Sequence, residues 1–314
     1  MRAVGITEFG GPEALEVVEV PDPEAGPGEV RIRVRAAAVN PTDTLLRDGS
    51  RAEMLRDVPA PHVPGMDAAG VVDQLGPGVQ TGLQIGDAVM AIVLPRAQHG
   101  AYAELVVVPA ESVVRAPAGA SHAEAASLLM NALTVRAALD ALDLQPGQLL
   151  AVTGAAGAVG GFAVQLGKAD GLQVVADAAP QDEKLVTELG ADVVVPRGDD
   201  FGARVREVFP NGADGLVDAA LLDEQAIPAV RDGGRIATVR GYQGPETEVR
   251  GITFYPVMVR DYAREQAKLD RLRQQAEAGQ VALRVAQVFP ADQAPEAHRA
   301  LEAGGIRGRL ILEF

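Results

Sequence analysis

Between residues 148 and 239 the pattern of hydrophobic positions alternates between two periods. The run "QLLAVT" at 148–153 is apolar and has the length of a buried strand. Within 159–166, apolar residues then recur at i, i+3, i+4 and i+7, the spacing of one helix face. The alternation continues, with strands predicted over 172–177, 191–195, 212–220 and 235–239 and helices over 183–190, 200–209 and 224–234. Such alternation predicts an α/β fold with a doubly wound parallel sheet.

The residues on either side of this region follow a different pattern. Residues 29–39, "EVRIRVRAAAV", alternate apolar and charged positions, and short apolar runs between Gly and Pro turns continue to about residue 120. This pattern predicts a mostly antiparallel, barrel-like β domain. After Tyr262, a charged helix pattern is followed by strand, helix and strand patterns, which we expect to complete the first domain. The predicted domains are 1–121 with 262–314, and 122–261.

Composition and charge narrow the classes of function. The chain has 314 residues, 47% of them hydrophobic, and a net charge of −15. No cluster of Lys and Arg forms the basic face of a nucleic-acid-binding protein. Without cysteine, disulfides, thiolate metal sites and a cysteine nucleophile are excluded. The first residues lack the apolar segment of a signal peptide, so we expect a cytoplasmic protein. The uncharged residues 144–167 are interrupted by glycines and polar side chains, and we expect no membrane partner.

Three glycines lie where the strand at 148–153 turns into the following helix. Their spacing is Gly154-x-x-Gly157-x-x-Gly160, and Ala156 takes the place at which a strict G-x-G-x-x-G motif has its middle glycine. A helix N-terminus offers unpaired N–H groups, and glycines let a phosphate approach the backbone. The next predicted strand ends in Asp177, where a ribose-binding carboxylate is expected. These features favour a dinucleotide site, with a purely structural glycine turn as the open alternative.

Longer motifs carry a family resemblance. The segments are "VNPTD" (39–43), "VPGMDAAGVV" (63–72), "GAYAE" (100–104), "LQPGQLLAVTGAAGAVG" (144–160) and "AHRALEAGGIRGRLIL" (297–312). Together they resemble the medium-chain dehydrogenase/reductase superfamily, in its zinc-independent quinone oxidoreductase-like branch. The resemblance covers nearly the whole chain and implies a GroES-like barrel for the first domain and a Rossmann fold for the second. It also implies NADPH or NADH as cofactor and a small molecule as substrate.

The resemblance assigns residues to the cofactor site. Asn40 lies at the place that faces nicotinamide and substrate in the family, and is the first candidate to hydrogen-bond the charge that develops on the reduced substrate. A turn asparagine before a proline is the alternative. Thr134 matches a threonine that contacts the nicotinamide, or is a helix threonine bonded to its own backbone. The other residues expected to bind cofactor are Gly154, Ala156, Gly157, Ala158, Val159, Gly160, Asp177, Lys184, Ala219, Val239 and Arg240.

Zinc dehydrogenases share this architecture, so a metal site has to be considered. Where they have catalytic zinc ligands, this chain has Asn40, Met66 and Met130. Zinc is bound by thiolate, imidazole or carboxylate, and an amide with two thioethers does not form such a site. We therefore expect no zinc. The histidines lack metal-ligand spacing; they are His62, His99, His122 and His298.

Five further residues have competing interpretations. Leu45 and Arg136 stand where the branch often has aromatic residues, which implies an altered substrate pocket. Arg136 faces either an anionic substrate or solvent. Phe254 and Tyr255 line the pocket or belong to the core. Asp43 is expected to be a cap or turn residue rather than an acid catalyst.

The expected function follows from the absence of zinc ligands. An acceptor that is already polarised needs no Lewis acid, so we expect hydride transfer from NAD(P)H to a quinone or an α,β-unsaturated carbonyl. An enoyl reductase acting on a polyketide-like or thioester intermediate and a non-enzymatic cofactor-sensing protein are the alternatives. Asp177 would repel the 2′-phosphate of NADPH, which favours NADH modestly. Residues 246–257 form a predicted edge strand, through which we expect a homodimer.

Overall fold

The computed structural model describes residues 1–314 as fifteen strands and eight α-helices. The strands are β1 (Arg2–Gly5), β2 (Glu16–Glu19), β3 (Glu29–Ala38), β4 (Asp67–Leu75), β5 (Ala88–Ile92), β6 (Leu105–Pro109), β7 (Val113–Arg115), β8 (Leu149–Thr153), β9 (Gln173–Ala178), β10 (Val193–Pro196), β11 (Ala213–Asp218), β12 (Val230–Thr238), β13 (Thr253–Pro256), β14 (Val285–Pro290) and β15 (Arg309–Glu313). The helices are α1 (Pro41–Arg47), α2 (His122–Ala126), α3 (Leu129–Leu142), α4 (Ala158–Ala169), α5 (Glu183–Glu188), α6 (Phe201–Val208), α7 (Gln266–Glu277) and α8 (Ala294–Ala303). The chain forms two compact units, one of Met1–Met130, Ala263–Glu277 and Leu283–Phe314, the other of Asn131–Tyr262 and Ala278–Ala282.

The first unit is built on a seven-stranded sheet with the order β14-β15-β3-β4-β5-β7, in which β6 also pairs with β3. All of these pairs are antiparallel except β14 with β15. Along β3, Val30, Ile32 and Val34 are buried, whereas Arg31 and Arg33 on the opposite face pair with a carboxylate of β4. The alternating pattern in the sequence thus comes from a strand with one face in the core.

The C-terminal segment completes this sheet. β15 pairs with β3 through Ile311 and Ala38, and α8 packs against β15. The unit extends to Met130, beyond the predicted boundary at 121, because α2 packs its buried residues against β3, β4 and β5. Residues 278–282 belong to the other unit, where the N–H of Ala282 donates to the side chain of Gln165 at 2.7 Å.

The second unit contains a six-stranded parallel sheet with the order β10-β9-β8-β11-β12-β13. All five residues of β8 are buried at its centre. Helices α4, α5 and α6 connect successive strands from β8 to β11. This is the doubly wound Rossmann arrangement that the alternating pattern predicts, and the fold class is confirmed. In such a sheet, ligands bind beyond the carboxyl ends of the strands.

Two predicted elements of this unit differ from the structure. The helix predicted over 224–234 is wrong, because a 3-10 turn at Asp223–Ala229 leads directly into β12. Pro228 has no N–H to donate to the preceding turn, and its ring obstructs a regular helix. The edge strand predicted over 246–257 is reduced to β13, which does lie at the edge of the sheet.

Residues 122–142 have the length and composition of a helix that could cross a membrane, with a hydropathy of 1.3 in the most apolar window. In the folded chain, 83% of that window is buried inside the protein. A buried core helix passes the same test, so this segment is weak evidence for a membrane.

Candidate functional site

The glycine turn joins β8 to α4 at the carboxyl edge of the parallel sheet. Gly154 has a φ of +63°, a left-handed conformation that favours glycine. A Cβ on Gly160 would lie 2.2 Å from the Gly154 carbonyl oxygen, so Gly160 lets α4 pack onto the turn. A Cβ on Gly157, the N-cap residue of α4, would meet only that same oxygen, at 3.1 Å. The space beside Gly157 is therefore open.

This open space fits a pyrophosphate. The N-terminus of a helix of twelve residues carries backbone N–H groups and a partial positive charge. A side chain at Gly157 would fill the space in front of these groups. Ala156 is buried beneath the turn, and Ala158 and Val159, the first residues of α4, are half-buried. These residues would hold the pyrophosphate of a dinucleotide.

Asp177, at the end of β9, is directed at the glycine turn. Its carboxylate accepts the N–H of Ala155 at 3.0 Å and is 2% exposed. Burial raises the pKa of this carboxyl, against the opposing effects of the Ala155 N–H, the charge of Arg197 and the Gly154 N–H. Asp177 therefore holds the turn in place.

A second polar pair, Thr153 and Asp218, links the ends of β8 and β11. The Thr153 hydroxyl donates to Asp218 at 2.6 Å and accepts the N–H of Ala220 at 3.0 Å. Asp218 also accepts the N–H groups of Leu222 at 3.1 Å and Asp223 at 2.8 Å. The pair fixes the loop after β11 next to the glycine turn. The sequence analysis did not predict this pair. The pattern that could have indicated it is a polar residue at the end of each of the two apolar strands.

Other residues predicted to bind cofactor lie at the same edge. Ala219 follows β11, and Val239 and Arg240 follow β12. Arg240 has a φ of +65° and Leu221 one of +59°, both unusual for residues with a side chain. Backbone strain of this kind clusters at ligand sites in proteins. Lys184, in contrast, has a side chain that is 88% exposed and pairs with a glutamate of its own helix, so nothing holds it at the turn.

In the first unit, Asn40 lies between β3 and α1 and is 2% exposed. Its amide nitrogen donates to the carbonyl of Ala38 at 3.2 Å and to Asp67 at 3.0 Å, and its oxygen accepts from Arg309 at 2.8 Å. Arg309 also pairs with Asp67 at 3.1 Å. Both N–H bonds of the Asn40 amide are thus used inside the protein, and the expected donation from this side chain to the substrate stays a prediction.

Asp43, on α1, starts a buried chain of hydrogen bonds. Its carboxylate accepts the N–H groups of Asn40 at 2.8 Å and Gly65 at 3.1 Å, and the hydroxyl of Tyr102 at 3.1 Å. Burial raises the pKa of Asp43 to about 6. The bond to the Asn40 N–H is the cap that the sequence predicts.

Tyr102 continues this chain into α8. Its hydroxyl lies 3.2 Å from Nε2 of His298, whose Nδ1 lies 3.3 Å from Nη1 of Arg47. Because an arginine can only donate, Nδ1 accepts and Nε2 carries the proton, which it donates to Tyr102. Burial, with the nearby Arg47 charge, lowers the pKa of His298 to about 3, so the ring is neutral.

The residues at the zinc-ligand positions do not fit a metal. The side chain of Asn40 is fully hydrogen-bonded, and the sulfur of Met66 accepts the hydroxyl of Thr42 at 3.1 Å. Met130 adds a thioether, a poor ligand for zinc. No three His, Asp or Glu side chains are grouped so that they could hold a metal ion.

Arg136, on α3, is buried and already paired. It is 8% exposed, and its guanidinium contacts Asp140 at 2.8 Å and Asp170 at 2.6 Å. Two carboxylates neutralise its charge within the unit. The interpretation of Arg136 as a solvated side chain is therefore corrected, whereas its contact with an anionic substrate stays a prediction.

The remaining residues predicted for the substrate pocket lie in different surroundings. Phe254 packs edge-on against Tyr242, with ring centroids 6.0 Å apart, next to the core of the sheet. Tyr255 lines a groove along β13. Leu45, on α1, and Thr134, on α3, are half-buried.

The two sheets and the open space beside Gly157 at the N-terminus of α4 are typical of a dinucleotide-dependent dehydrogenase or reductase. Two family models match the chain: the alcohol dehydrogenase GroES-like domain over residues 26–118 and the zinc-binding dehydrogenase over residues 189–312.

Known proteins extend these matches over the whole chain. The quinone oxidoreductase of Pseudomonas aeruginosa is 30% identical, and the alignment covers 99% of each protein. The chloroplastic NADPH-dependent alkenal/one oxidoreductase of Arabidopsis thaliana is 31% identical over 78% of this chain. The alignment spans 64% of that relative's length, which is less than two thirds. A solved NAD-dependent alcohol dehydrogenase is 32% identical, with 100% of both chains covered and a TM-score of 0.85. The chain belongs to the medium-chain dehydrogenase/reductase superfamily, in its quinone oxidoreductase-like branch, and the family predicted from the sequence is confirmed.

Proposed function

We propose that this chain transfers a hydride from NAD(P)H to a quinone or an α,β-unsaturated carbonyl without a metal ion. The observation that carries the proposal is the open space beside Gly157 at the N-terminus of α4, which fits a pyrophosphate. The relatives named as quinone and alkenal/one oxidoreductases support the class of acceptor. The amide and thioethers at the zinc-ligand positions support a reaction that needs no Lewis acid.

The residues of this chain would bind and orient the reactants. The nicotinamide, when bound, supplies the hydride, and the conjugated carbonyl of the acceptor is polarised without help. Asp177 and the Thr153–Asp218 pair would keep the glycine turn rigid, so that its N–H groups meet the pyrophosphate in a fixed geometry. Asn40 has no spare N–H, and we propose that it orders the start of α1 while solvent protonates the product oxygen.

The matched substitutions Gly157→Val and Gly160→Ala test the carrying observation. Valine at 157 would fill the open space with little strain, because its Cβ meets one oxygen at 3.1 Å. We expect the fold to survive and NAD(P)H affinity to fall about 100-fold, the loss of two charge-assisted hydrogen bonds. Alanine at 160 would place its Cβ 2.2 Å from backbone and should destabilise the fold by about 1–3 kcal/mol.

Fluorescence titration with NADH and NADPH and thermal unfolding of both variants separate these effects. Nucleotide affinity that is unchanged in Gly157→Val would show that the turn is only structural. Equal losses of melting temperature in both variants would contradict the assignment of the open space.

Substrate class and metal dependence need a second experiment. Quinones, enones and enoyl thioesters should be screened with both cofactors, before and after dialysis against a strong chelator. We expect turnover with quinones or enones that survives the chelator. Activity restored only by zinc would overturn metal independence, and turnover limited to thioesters would favour an enoyl reductase. Nucleotide binding without any turnover would favour a cofactor-sensing protein.

Cofactor preference, assembly and location go beyond the family assignment. The preference for NADH predicted from Asp177 assumed a carboxylate free to meet the ribose, whereas this carboxylate bonds the glycine turn and is 2% exposed. A homodimer stays a prediction, for which the edge position of β13 is the support. A monomer mass at micromolar concentration in light scattering would contradict it. The cytoplasmic location also stays a prediction.

A further inference from the structure

A groove with a volume of about 210 Å³ lies on the first unit, where β1 and β2 meet the ends of β14 and β15. Apolar side chains line it, among them Val4, Val17, Pro290 and Phe314. None of the lining residues belongs to the candidate functional site. A role for this groove is therefore independent of the proposed reaction.

The volume of the groove limits what it can hold. A cavity of about 150 Å³ holds one benzene molecule, whereas sites for drug-sized molecules measure about 300–1,000 Å³. A groove of about 210 Å³ takes one large apolar side chain rather than a whole substrate or cofactor. The side chain that such a group would cover is Val17, which is 51% exposed. The groove thus has the size of a pocket for one anchor residue of a protein partner.

The strand β2 offers a free backbone edge beside the groove. It pairs only with β1, in a two-stranded sheet, so its second edge is open to a further strand. Val17 lies opposite Val4 in the antiparallel register, which puts both side chains on the face that lines the groove. In a strand added to β2, the residue opposite Val17 would lie on the same face. An extended peptide can therefore pair with β2 and place one side chain at the groove.

The charges around the groove are acidic. Arg2 and Glu104, which both line it, neutralise each other in an ion pair at 2.9 Å. Asp292 and Glu313 also line it, and both are exposed and have no ion-pair or hydrogen-bond partner. In the segment that contains β2, every charged side chain between residues 3 and 30 is Asp or Glu. The groove therefore favours a cationic partner.

We propose that this groove binds an extended, basic peptide segment of a partner protein. One large apolar side chain of the segment would contact Val17 and Phe314, and a neighbouring Lys or Arg would pair with Asp292 or Glu313. Complementarity of charge favours such a partner over a second copy of this chain, because each copy carries a net charge of −15 and the two would repel each other.

Three fluorescein-labelled nonapeptides test the assignment on the full chain by fluorescence anisotropy. The basic peptide has a central leucine between two arginines in a Gly/Ser background. The acidic peptide has glutamate in place of both arginines, and the third peptide has glycine in place of leucine. We expect the basic peptide to bind with a dissociation constant below about 1 mM. The other two should bind at least about 10-fold more weakly, since each lacks either the ion pairs or the buried leucine.

Two variants of the groove separate the contribution of charge from that of apolar contact. Asp292→Asn combined with Glu313→Gln keeps the side-chain shapes and should weaken binding of the basic peptide about 5-fold at about 0.01 M salt, and less at about 0.15 M. Val17→Asp should weaken it about 10-fold although it adds a negative charge, because the leucine loses its apolar contact. Since Val17 is half-exposed, the fold should survive this change.

The matched control is Asp57→Asn combined with Glu111→Gln. It removes two exposed, unpaired carboxylates of the same unit that do not line the groove. It should change the affinity for the basic peptide less than about 2-fold. Thermal unfolding and NADPH titration of every variant check that the fold and the nucleotide site are intact.

Each alternative outcome overturns the proposal. Equal affinities for the basic and acidic peptides, or for the peptides with leucine and with glycine, would do so, as would an equal loss in the control. A rise in affinity in Val17→Asp would show that charge alone attracts the peptide. Failure of all three peptides to bind at about 1 mM would leave the groove without this role. A dimer in light scattering that Val17→Asp converts to a monomer would assign the groove to a second copy. None of these outcomes decides hydride transfer, which the turnover screen tests separately.

Discussion

Asp43 and His298, joined through Tyr102, are expected to change the stability of the fold with pH in opposite directions. The pKa of Asp43 is raised from 3.8 to about 6 by burial. Below pH 6 the folded state therefore binds a proton that the unfolded state does not, and acidification stabilises the fold. The pKa of His298 is lowered from 6.5 to about 3 by burial. Below pH 6.5 the unfolded state binds a proton that the folded state does not, and acidification destabilises the fold.

The magnitudes follow from these pKa values. Each unmatched proton changes the free energy of unfolding by about 1.4 kcal/mol per pH unit. Between pH 7 and pH 4.5, Asp43 would add about 2 kcal/mol to the stability and His298 would remove about 3 kcal/mol. In the wild type the two contributions nearly cancel, so that neither is visible until one group is removed.

Two substitutions expose the two contributions. In His298→Gln, the amide can still donate to Tyr102 and accept from Arg47, but it does not titrate. Acidification from pH 7 to 4.5 should then lower its free energy of unfolding by about 3 kcal/mol less than in the wild type. For Asp43→Asn the same change should lower it by about 2 kcal/mol more.

Urea unfolding at pH 7 and pH 4.5 measures the free energy of unfolding of each variant. Subtracting the wild-type value at the same pH removes the contribution of all other carboxylates. Tyr102→Phe is the control, because it breaks the link without removing a group that titrates in this range. Shifts of the same sign in Asp43→Asn and His298→Gln would refute the opposite directions derived from burial.

Two polar residues that resemble ligand contacts in the sequence are expected to act through the fold. Asp177→Ser removes the acceptor for the Ala155 N–H and should weaken NADH and NADPH binding by the same factor of about 10 in a titration; a loss confined to NADH would restore its ribose role. Arg136→Gln removes the buried cation that contacts Asp140 and Asp170 and should lower the free energy of unfolding by about 2 kcal/mol, with the KM for a neutral quinone unchanged. A KM change without a loss of stability would point back to a substrate contact.

The fold could be predicted where local pattern and tertiary structure agree. The strands β8 and β9 are buried on both faces, so a short and almost wholly apolar run in the sequence indicates a central position in the sheet. The helix predicted over 224–234 failed because the apolar spacing resembled a helix while Pro228 interrupts the backbone hydrogen bonds. The edge strand was predicted too long because only four of its residues pair with β12.

The candidate site was predictable where a backbone conformation requires a particular residue. Gly154 and Gly160 are glycines for conformational and packing reasons that a sequence motif can record. Side-chain partners are different, since Asn40 and Arg309 are 269 positions apart and no local pattern joins them. An aspartate at a strand end, such as Asp177, looks the same in a sequence whether it meets a ribose or a backbone N–H.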